Sequence, residues 1–310
     1  MLPKGSYNRI RVCEKMGSAD WPDGSLRPSL PKAKPFLKWA GGKGQLLRQL
    51  LQVIPRPEEG QTYFEPFLGA GAVFFSLQPR KAAIGDVNKP LIETFKVVRD
   101  RHKDLIRVLA ELASKPDSDE YYARRKEFNE LVPGVSELGP QERVRLAGLF
   151  IWLNHTCYNG LFRVNRSGLF NVPFSSNVEP SIFNAANLRA ASVTLKRANV
   201  DLLSADYRET LKTASRGDVV YLDPPYDPTN STAHFTSYSS DGFDSIDQVE
   251  LAQEVRSLVD LGCRVYLTNS STPNIKELYS DFEVRELDAR RAINCQGDRR
   301  GKVKEILVIG

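Results

Sequence analysis

The feature that most constrains the fold is a short apolar run, Asp218–Leu222, which two consecutive prolines, Pro224 and Pro225, bring to a sudden end. A run this short and this rich in β-forming residues is typical of a buried strand in a parallel sheet. Proline cannot donate to a strand ladder and its φ angle is nearly fixed, so the strand should end in a stiff turn. The run therefore predicts an α/β protein with a carboxylate, Asp223, and a ring, Tyr226, at the carboxyl edge of its sheet.

That edge is where open α/β sheets bind ligands. An aromatic ring can stack on a flat nucleobase, while a carboxylate accepts a hydrogen bond from the base's exocyclic amine. The tetrapeptide Asp223-Pro224-Pro225-Tyr226 is therefore the candidate catalytic motif, and it favours a site for an amino-bearing ring.

The composition limits the kinds of protein and of partner that the chain can represent. The 310 residues are 41% hydrophobic and 26% charged, as in an ordinary soluble globular protein with a sizeable core. The net charge of +5 mildly favours a polyanionic partner. Four scattered cysteines without a C-x-x-C pair predict no zinc or other metal site. The lack of a transmembrane-length apolar run or a signal-peptide core predicts a cytoplasmic protein without a membrane partner.

Strand and helix patterns alternate on both sides of a long helical block, which predicts a doubly wound, mostly parallel sheet with an inserted, mostly helical subdomain. Residues 1–34 should form an irregular N-terminal extension, residues 35–90 and 197–310 the main domain, and residues 91–196 the insertion. Strands are expected at Thr62–Phe67, Ala82–Val87, Val200–Ser204, Asp218–Leu222, Arg264–Thr268, Phe282–Leu287 and Val303–Ile309. Helices are expected at Gln45–Ile54, Leu91–Leu112, Asp119–Leu131, Gln141–Leu153 and Ile246–Leu261.

The stretch Glu65–Gly71 should join the first strand to a helix through a tight, glycine-rich turn that a ligand can approach closely. Asp86 ends the next strand, where an acid can accept hydrogen bonds from ribose hydroxyls. Phe74 stands where a nicotinamide-binding fold needs its third glycine, so an uncharged nucleoside group fits better than a pyrophosphate. The alternative is an ordinary strand-to-helix turn followed by a loop acid.

The stretch Phe36–Lys43 looks at first like a phosphate-binding loop, but the spacing is wrong. Leu37 stands where that loop needs its first glycine, and Gly44 stands where it needs serine or threonine. Trp39 could still pack over a ligand and Lys43 could bind a carboxylate or phosphate. A core tryptophan and a solvated lysine are the alternative.

Residues 158–174 predict a β-hairpin whose arms are Leu161–Val164 and Leu169–Val172, with Asn165–Gly168 as the turn. Arginine at a hairpin tip can reach guanine edges or phosphates, and asparagine can pair with adenine. A solvated hairpin without a partner is the alternative.

Five stretches, in this order, resemble the Dam family of DNA adenine-N6 methyltransferases: FLKWAGGK, EPFLGAG, GDVNKPLI, YNGLFRVNRSGLFNVPF and DVVYLDPPY. The resemblance covers nearly everything from residue 35 onward. It implies a Rossmann-like methyltransferase sheet, S-adenosyl-L-methionine as cofactor and duplex DNA as partner. The cofactor-binding residues that it implies are Trp39, Lys43, Glu65, Phe67, Gly69, Gly71, Asp86, Asp206 and Asp223. The DNA-binding residues that it implies are Asn159, Arg163, Asn165, Arg166, Asn171 and Pro173.

The resemblance implies methyl transfer to N6 of an adenine that is flipped out of a short duplex sequence, with GATC as the default. The enzyme would be bacterial, archaeal or phage-encoded, either solitary or paired with a restriction endonuclease that cuts the same site. Two alternatives stay open. One is another amino acceptor, such as RNA adenine, cytosine N4 or a protein glutamine amide, and the other is a non-catalytic DNA-binding relative.

Overall fold

A computed structural model of the chain describes residues 32–39, 41–113, 116–175, 182–228, 243–290 and 302–310. Nearly all of the expected N-terminal extension, residues 1–31, lies outside these ranges. The description below concerns the compact unit Lys32–Gly310.

Within the described ranges, one sheet contains seven strands in the order β3-β2-β1-β4-β5-β7-β6. Strands β1 to β5 run parallel, and β7 runs antiparallel to both of its neighbours, β5 and β6. The strand order reverses between β1 and β4, which creates a crevice at their carboxyl ends. The prediction of a doubly wound, mostly parallel α/β sheet is confirmed. The strands are Tyr63–Glu65, Ala82–Gly85, Val200–Leu203, Val219–Leu222, Arg264–Ser270, Glu283–Arg290 and Lys302–Ile309, numbered β1 to β7.

Strand β4 shows why the sequence builds this architecture. All of its residues are buried, and they alternate between the two hydrophobic clusters on either side of the sheet. Val219 and Tyr221 belong to one cluster, while Val220 and Leu222 belong to the other. Because both faces are covered, the strand is apolar throughout instead of alternating with polar residues.

Nine helices lie in the described ranges, and four of them, α3 to α6, fall between β2 and β3. The position of this helical block agrees with the expected insertion, whereas the division into a catalytic domain and a recognition subdomain stays a prediction. The helices are Leu47–Leu50, Ala72–Leu77, Lys89–Glu111, Ser118–Leu131, Pro140–Thr156, Ala185–Arg197, Tyr207–Leu211, Ser245–Leu261 and Pro273–Leu278, numbered α1 to α9.

The helix expected at Gln45–Ile54 is wrong in extent, because α1 covers only Leu47–Leu50. No side chain caps its amino end, so the helix lacks the side-chain acceptor that usually stabilises a first turn. Beyond Leu50 the spacing of the bonds becomes irregular, because the Leu50 carbonyl accepts both from the Val53 N–H, three residues on, and from the Ile54 N–H, four residues on. The apolar spacing that suggested a longer helix instead buries Leu46, Leu50 and Ile54 along a series of turns.

Candidate active site and nucleic-acid interface

Asp223 directly follows β4 at the crevice where the strand order reverses. Its Oδ1 lies 2.9 Å from the ammonium nitrogen of Lys43 and accepts a hydrogen bond from the Thr268 hydroxyl at 2.8 Å. Lys43 is almost fully buried and also donates to the Gly41 carbonyl at 2.9 Å. The FLKWAGGK segment and the DPPY motif, far apart in sequence, are therefore joined by one ion pair with little exposure to water.

Tyr226 lies beside this pair. Lys43 Nζ is 4.6 Å from the centre of the Tyr226 ring, a cation–π distance. The phenol hydroxyl donates to Glu305 Oε2 at 2.6 Å. Burial and then the neighbouring Asp223 carboxylate raise the pKa of Tyr226 well above its usual value, so the ring stays neutral. A neutral aromatic ring and a carboxylate thus share the mouth of the crevice.

A buried polar network behind the motif was not found by sequence reasoning. Gln248 of α8 donates to the Pro225 carbonyl at 2.9 Å, and Asn269 of β5 donates to Gln248 Oε1 at 3.0 Å. Asn269 Oδ1 also accepts from the Asp227 N–H at 3.1 Å. Both amide side chains are almost completely buried, so the network holds the DPPY turn from within the fold. The polar run at the end of β5, beside β4, is the signal that could have revealed it.

Glu65 ends β1, next to β4. Both hydrogen bonds that it accepts go to Oε2, from the Tyr63 hydroxyl at 2.8 Å and from the Phe74 N–H at 3.0 Å. Burial raises the pKa of Glu65 to about 8, an effect that these hydrogen bonds oppose and the nearby Asp223 carboxylate reinforces. At neutral pH this carboxyl group is therefore largely protonated and can itself donate a hydrogen bond.

Gly69 and Asp86 form the adjoining loop. The Gly69 N–H donates to Asp86 Oδ2 at 3.0 Å, and the Asn88 N–H donates to Oδ1 at 3.0 Å. Gly69 has φ +48° and Gly71 has φ +69°, both in the left-handed region that glycine adopts most easily. The glycines thus permit the tight turn that the sequence predicted, and this turn brings the Gly69 N–H up to Asp86, a contact that the sequence did not predict.

Trp39 packs over this glycine loop. A Cβ atom built on Gly69 would lie 2.8 Å from the Trp39 ring, too close for any side chain other than hydrogen. The Trp39 ring also stacks on Phe162, with ring centres 6.0 Å apart. Trp39 therefore connects the candidate cofactor loop to the hairpin.

Phe67 and Asp206 lie farther along the same edge. Phe67 stacks on Tyr207 at 5.4 Å and meets Phe243 edge-on at 6.0 Å. Asp206 is exposed and caps α7 by accepting from the Arg208 N–H at 3.0 Å. The structure brings an aromatic patch to this position, while the Asp206 carboxylate is engaged with Arg208 and does not join the cluster around Asp223.

The hairpin at residues 158–174 adopts the expected course and turn, but its arms do not form continuous strands. Its arms pair only at isolated bridges, Cys157 with Phe174 and Val164 with Phe170. The backbone of Phe170 is bound by the Asn129 side chain, which accepts from its N–H at 2.9 Å and donates to its carbonyl at 3.0 Å. The arms themselves are joined by backbone bonds from the Asn165 N–H to the Leu169 carbonyl at 2.9 Å and from the Asn171 N–H to the Arg163 carbonyl at 3.1 Å. Asn129 of α4 thus binds the edge of the second arm that faces away from the first.

Three of the expected DNA-binding residues shape the hairpin itself. Asn165 Oδ1 accepts from the N–H groups of Ser167 and Leu169, each at 3.0 Å, and so fixes the turn. Arg163 Nε donates to Asn171 Oδ1 at 2.8 Å across the arms. The other three expected DNA-binding residues are exposed: Asn159, Arg166 and Pro173.

Asn154, on α5, is a second residue that sequence reasoning missed. Its side chain accepts from the Lys38 N–H at 2.8 Å and donates to the carbonyls of Lys38, at 2.8 Å, and Gly160, at 3.0 Å. One buried amide therefore fixes the segment before Trp39 against the first turn of the hairpin. A polar residue in an otherwise apolar stretch of helix is the only signal that the sequence offers.

In the described part of the chain, no group of three or more His, Cys, Asp or Glu side chains is arranged to hold a metal ion. Among the helices described, none combines the length and apolarity needed to cross a membrane.

Comparisons with known proteins agree with this geometry. Residues 39–293 match the family described as D12 class N6 adenine-specific DNA methyltransferase. A type II methyltransferase of Methanocaldococcus jannaschii, M.MjaIII, is 39% identical over 90% of this chain and 99% of its own length. Another, M1.LlaDCHI of Lactococcus lactis subsp. cremoris, is 37% identical over 89% of this chain and 94% of its own length.

A DNA adenine methylase of Escherichia coli is 33% identical over 90% of this chain and 96% of its own length. The family match spans the glycine loop, the hairpin and the DPPY motif. Trp39 contacts the first two of these regions, through Gly69 and Phe162. The chain therefore belongs to the D12 class N6 adenine-specific DNA methyltransferases and is an adenine-specific DNA methyltransferase.

Proposed function

We propose that this enzyme methylates N6 of an adenine that is flipped out of duplex DNA into the crevice beside Asp223, with S-adenosyl-L-methionine as donor. The observation that carries the proposal is the joint position of a carboxylate and a neutral ring, Asp223 and Tyr226, at the crevice mouth. A base held there meets an acceptor for its amine and a surface for stacking.

The side chains along the β1 and β2 ends fit a nucleoside cofactor. Asp86 can accept from ribose hydroxyls, and the Phe67 ring can pack on an adenine. Close by, Asn88 has a buried side-chain nitrogen without a partner among the described residues, as expected for a donor that awaits a ligand. When bound, the cofactor would supply an electrophilic methyl group on its sulfonium: the N6–C bond would form as the S–C bond breaks, the thioether would leave, and the proton lost from N6 would pass to solvent.

The residues at the DPPY motif act on the acceptor. Asp223 accepts a hydrogen bond from the adenine amine, which directs the nitrogen lone pair toward the methyl group and stabilises the positive charge that develops on N6. The Pro224 carbonyl accepts the second amine hydrogen. Tyr226 stacks on the base, a contact typically worth about 1–3 kcal/mol against an unstacking cost of a few kcal/mol.

The exposed side of the hairpin reads the DNA sequence. Arg166, at the turn, reaches a base edge or a phosphate in the major groove. GATC is the default recognition site that the family resemblance suggests. An enzyme of this kind works on the DNA of a prokaryotic cell or phage in the cytoplasm, and the type II relatives favour a cognate restriction endonuclease as partner.

The variant Asp223→Asn tests the proposal. The change removes the charge and one acceptor site, so we expect methyl transfer from labelled S-adenosyl-L-methionine to fall by about a thousandfold. Calorimetric binding of the cofactor and gel-shift binding of DNA should persist. Asp201→Asn, an exposed change on β3, serves as the matched control and should act like the wild type. Turnover by Asp223→Asn at the wild-type rate would exclude this carboxylate from the reaction.

A further inference from the structure

We propose that Glu305 of β7 is a positioning residue that holds the Tyr226 ring at the angle needed to stack on the flipped base. The proposal rests on the function proposed above and adds a residue to it that lies outside the five motifs. Glu305 acts by accepting a hydrogen bond from the Tyr226 hydroxyl.

The position of Glu305 is fixed by the sheet. It pairs with Ser270 of β5 on one side and with Leu287 of β6 on the other, so its backbone cannot shift without disturbing both ladders. Its side chain is only 19% exposed. The carboxylate is thus presented to the crevice from a rigid strand, which places an anchored group more accurately than a loop does.

The bond from Tyr226 to Glu305 has the length of a strong, charge-assisted hydrogen bond. The 2.6 Å separation of the two oxygens falls within the range for a hydroxyl that donates to a carboxylate. Lys43 Nζ lies 3.8 Å from the same Oε2 and over the Tyr226 ring, so the ammonium group supports this arrangement from one face of the ring.

Tyr226 needs such a support because its backbone contacts do not fix its ring. The two prolines and the bond from Gln248 to the Pro225 carbonyl hold the main chain, but the ring can still turn about its two side-chain torsions. The hydroxyl is the atom farthest from those torsions. A bond at that atom therefore restricts the ring's orientation most effectively, and stacking depends on that orientation.

Glu283, on the neighbouring edge strand, shows what an ordinary strand carboxylate looks like in this sheet. It is 56% exposed and pairs with Arg285, two residues away on the same strand. Glu305 differs in being largely buried and in having the ring of the DPPY motif as its partner. Glu283→Ala is consequently a matched control for a lost strand carboxylate.

The test is a double-mutant cycle in single-turnover methylation of a duplex that carries the enzyme's own methylation site, at saturating cofactor and DNA. Glu305→Ala and Tyr226→Phe each remove the bond, and each should slow transfer about tenfold, the size expected for one hydrogen bond. The double variant should be no slower than either single variant, because both changes remove the same interaction. Glu305→Gln keeps an oxygen that can accept from the phenol, and its rate should stay within about threefold of the wild type.

A spectroscopic measurement reports on the ring directly. With 2-aminopurine at the target position, the stacked base should be quenched in the wild type and in Glu305→Gln, and brighter in Glu305→Ala and Tyr226→Phe. Cofactor affinity should be equal in all of them, and Glu283→Ala should match the wild type throughout.

Several outcomes would overturn the role of Glu305. These are wild-type rates for Glu305→Ala or Tyr226→Phe, additive losses in the double variant, or a loss in Glu305→Gln as large as in Glu305→Ala. If Glu305→Ala fails to fold, Tyr226→Phe and Glu305→Gln decide the question alone. An inactive wild type would instead refute the proposed function and is recognised in the same assay.

Discussion

The pKa of the Asp86 carboxyl group is subject to two opposing effects. Burial raises its pKa to about 6, while N–H groups of Asn88 and Gly69 donate to it and favour its anionic form. Its proposed task of accepting from ribose hydroxyls with both oxygens requires the anion. Cofactor binding should consequently depend on pH in a range where an ordinary aspartate is still ionised.

We expect the dissociation constant for S-adenosyl-L-methionine to be constant above about pH 7 and to rise as the pH falls through about 6, by at most about tenfold per pH unit. The sign follows from the raised pKa, because lowering the pH protonates Asp86 and removes an acceptor. Isothermal titration calorimetry from pH 5 to pH 8 measures this dependence. Asp86→Asn should bind weakly at every pH, and the same acid dependence in that variant would assign the titration to another group.

Gly69 is the residue whose replacement should be least tolerated in the loop. In Gly69→Ala, the left-handed backbone is strained and the new Cβ meets the Trp39 ring at 2.8 Å, so the loop or the tryptophan must move. We expect cofactor affinity to fall at least about tenfold, a cost in the range of strained backbone positions. Gly134→Ala, where a Cβ meets nothing within 4 Å, is the control. Equal affinity of both variants, measured by calorimetry, would show that Trp39 and the loop are not part of the site.

At the scale of elements, the sequence was informative where local patterns decide the structure. Apolar runs predicted the strands to within a few residues, and the Asn165–Gly168 turn was predicted from its turn-forming residues. The alternation along the hairpin arms predicted their course, but it cannot reveal what binds the backbone of Phe170 on the side that faces away from the other arm. That partner is Asn129 of α4, forty-one residues away in sequence from Phe170, and only the tertiary structure brings it there.

The position of Arg166 at the hairpin turn leads to a prediction about how the enzyme recognises its DNA sequence. Arg166→Ala should relax discrimination at one base pair by about 1–3 kcal/mol if its guanidinium contacts a base edge. Methylation rates on duplexes with every single substitution in the recognition site measure this effect. Arg107→Ala, a highly exposed arginine on α3, is the control and should leave the profile unchanged. A loss that is equal on all sequences would instead identify Arg166 as a phosphate contact.

Across the whole molecule, the cofactor side and the DNA side are linked by a few long-range contacts. Trp39 touches both the glycine loop and Phe162, and Asn154 binds Lys38 and Gly160 together. Residue types along the sequence could suggest each motif, but not these links, since Lys38 and Asn154 are 116 residues apart. The same holds for Glu305, whose role depends on β7 lying next to β5.

The variant Asn154→Ala measures how much the hydrogen bonds of Asn154 stabilise the fold. The change leaves three backbone groups without their partner in a largely buried region, and we expect a loss of about 2–4 kcal/mol in the free energy of unfolding. Urea unfolding followed by circular dichroism gives that value. Gln253→Ala, an exposed change on α8, should stay within about 0.5 kcal/mol of the wild type. A similarly small loss for Asn154→Ala would mean that water replaces the amide at no cost.

The measurement that tests the central claim most directly is methyl transfer to unmethylated genomic DNA, with N6-methyladenine mapped at single-base resolution. We predict N6-methyladenine confined to one short motif, on the adenine alone, and lost in Asp223→Asn. Methyl groups on cytosine, or no incorporation by an enzyme that binds S-adenosyl-L-methionine, would contradict the account of an adenine amine held between Asp223 and Tyr226.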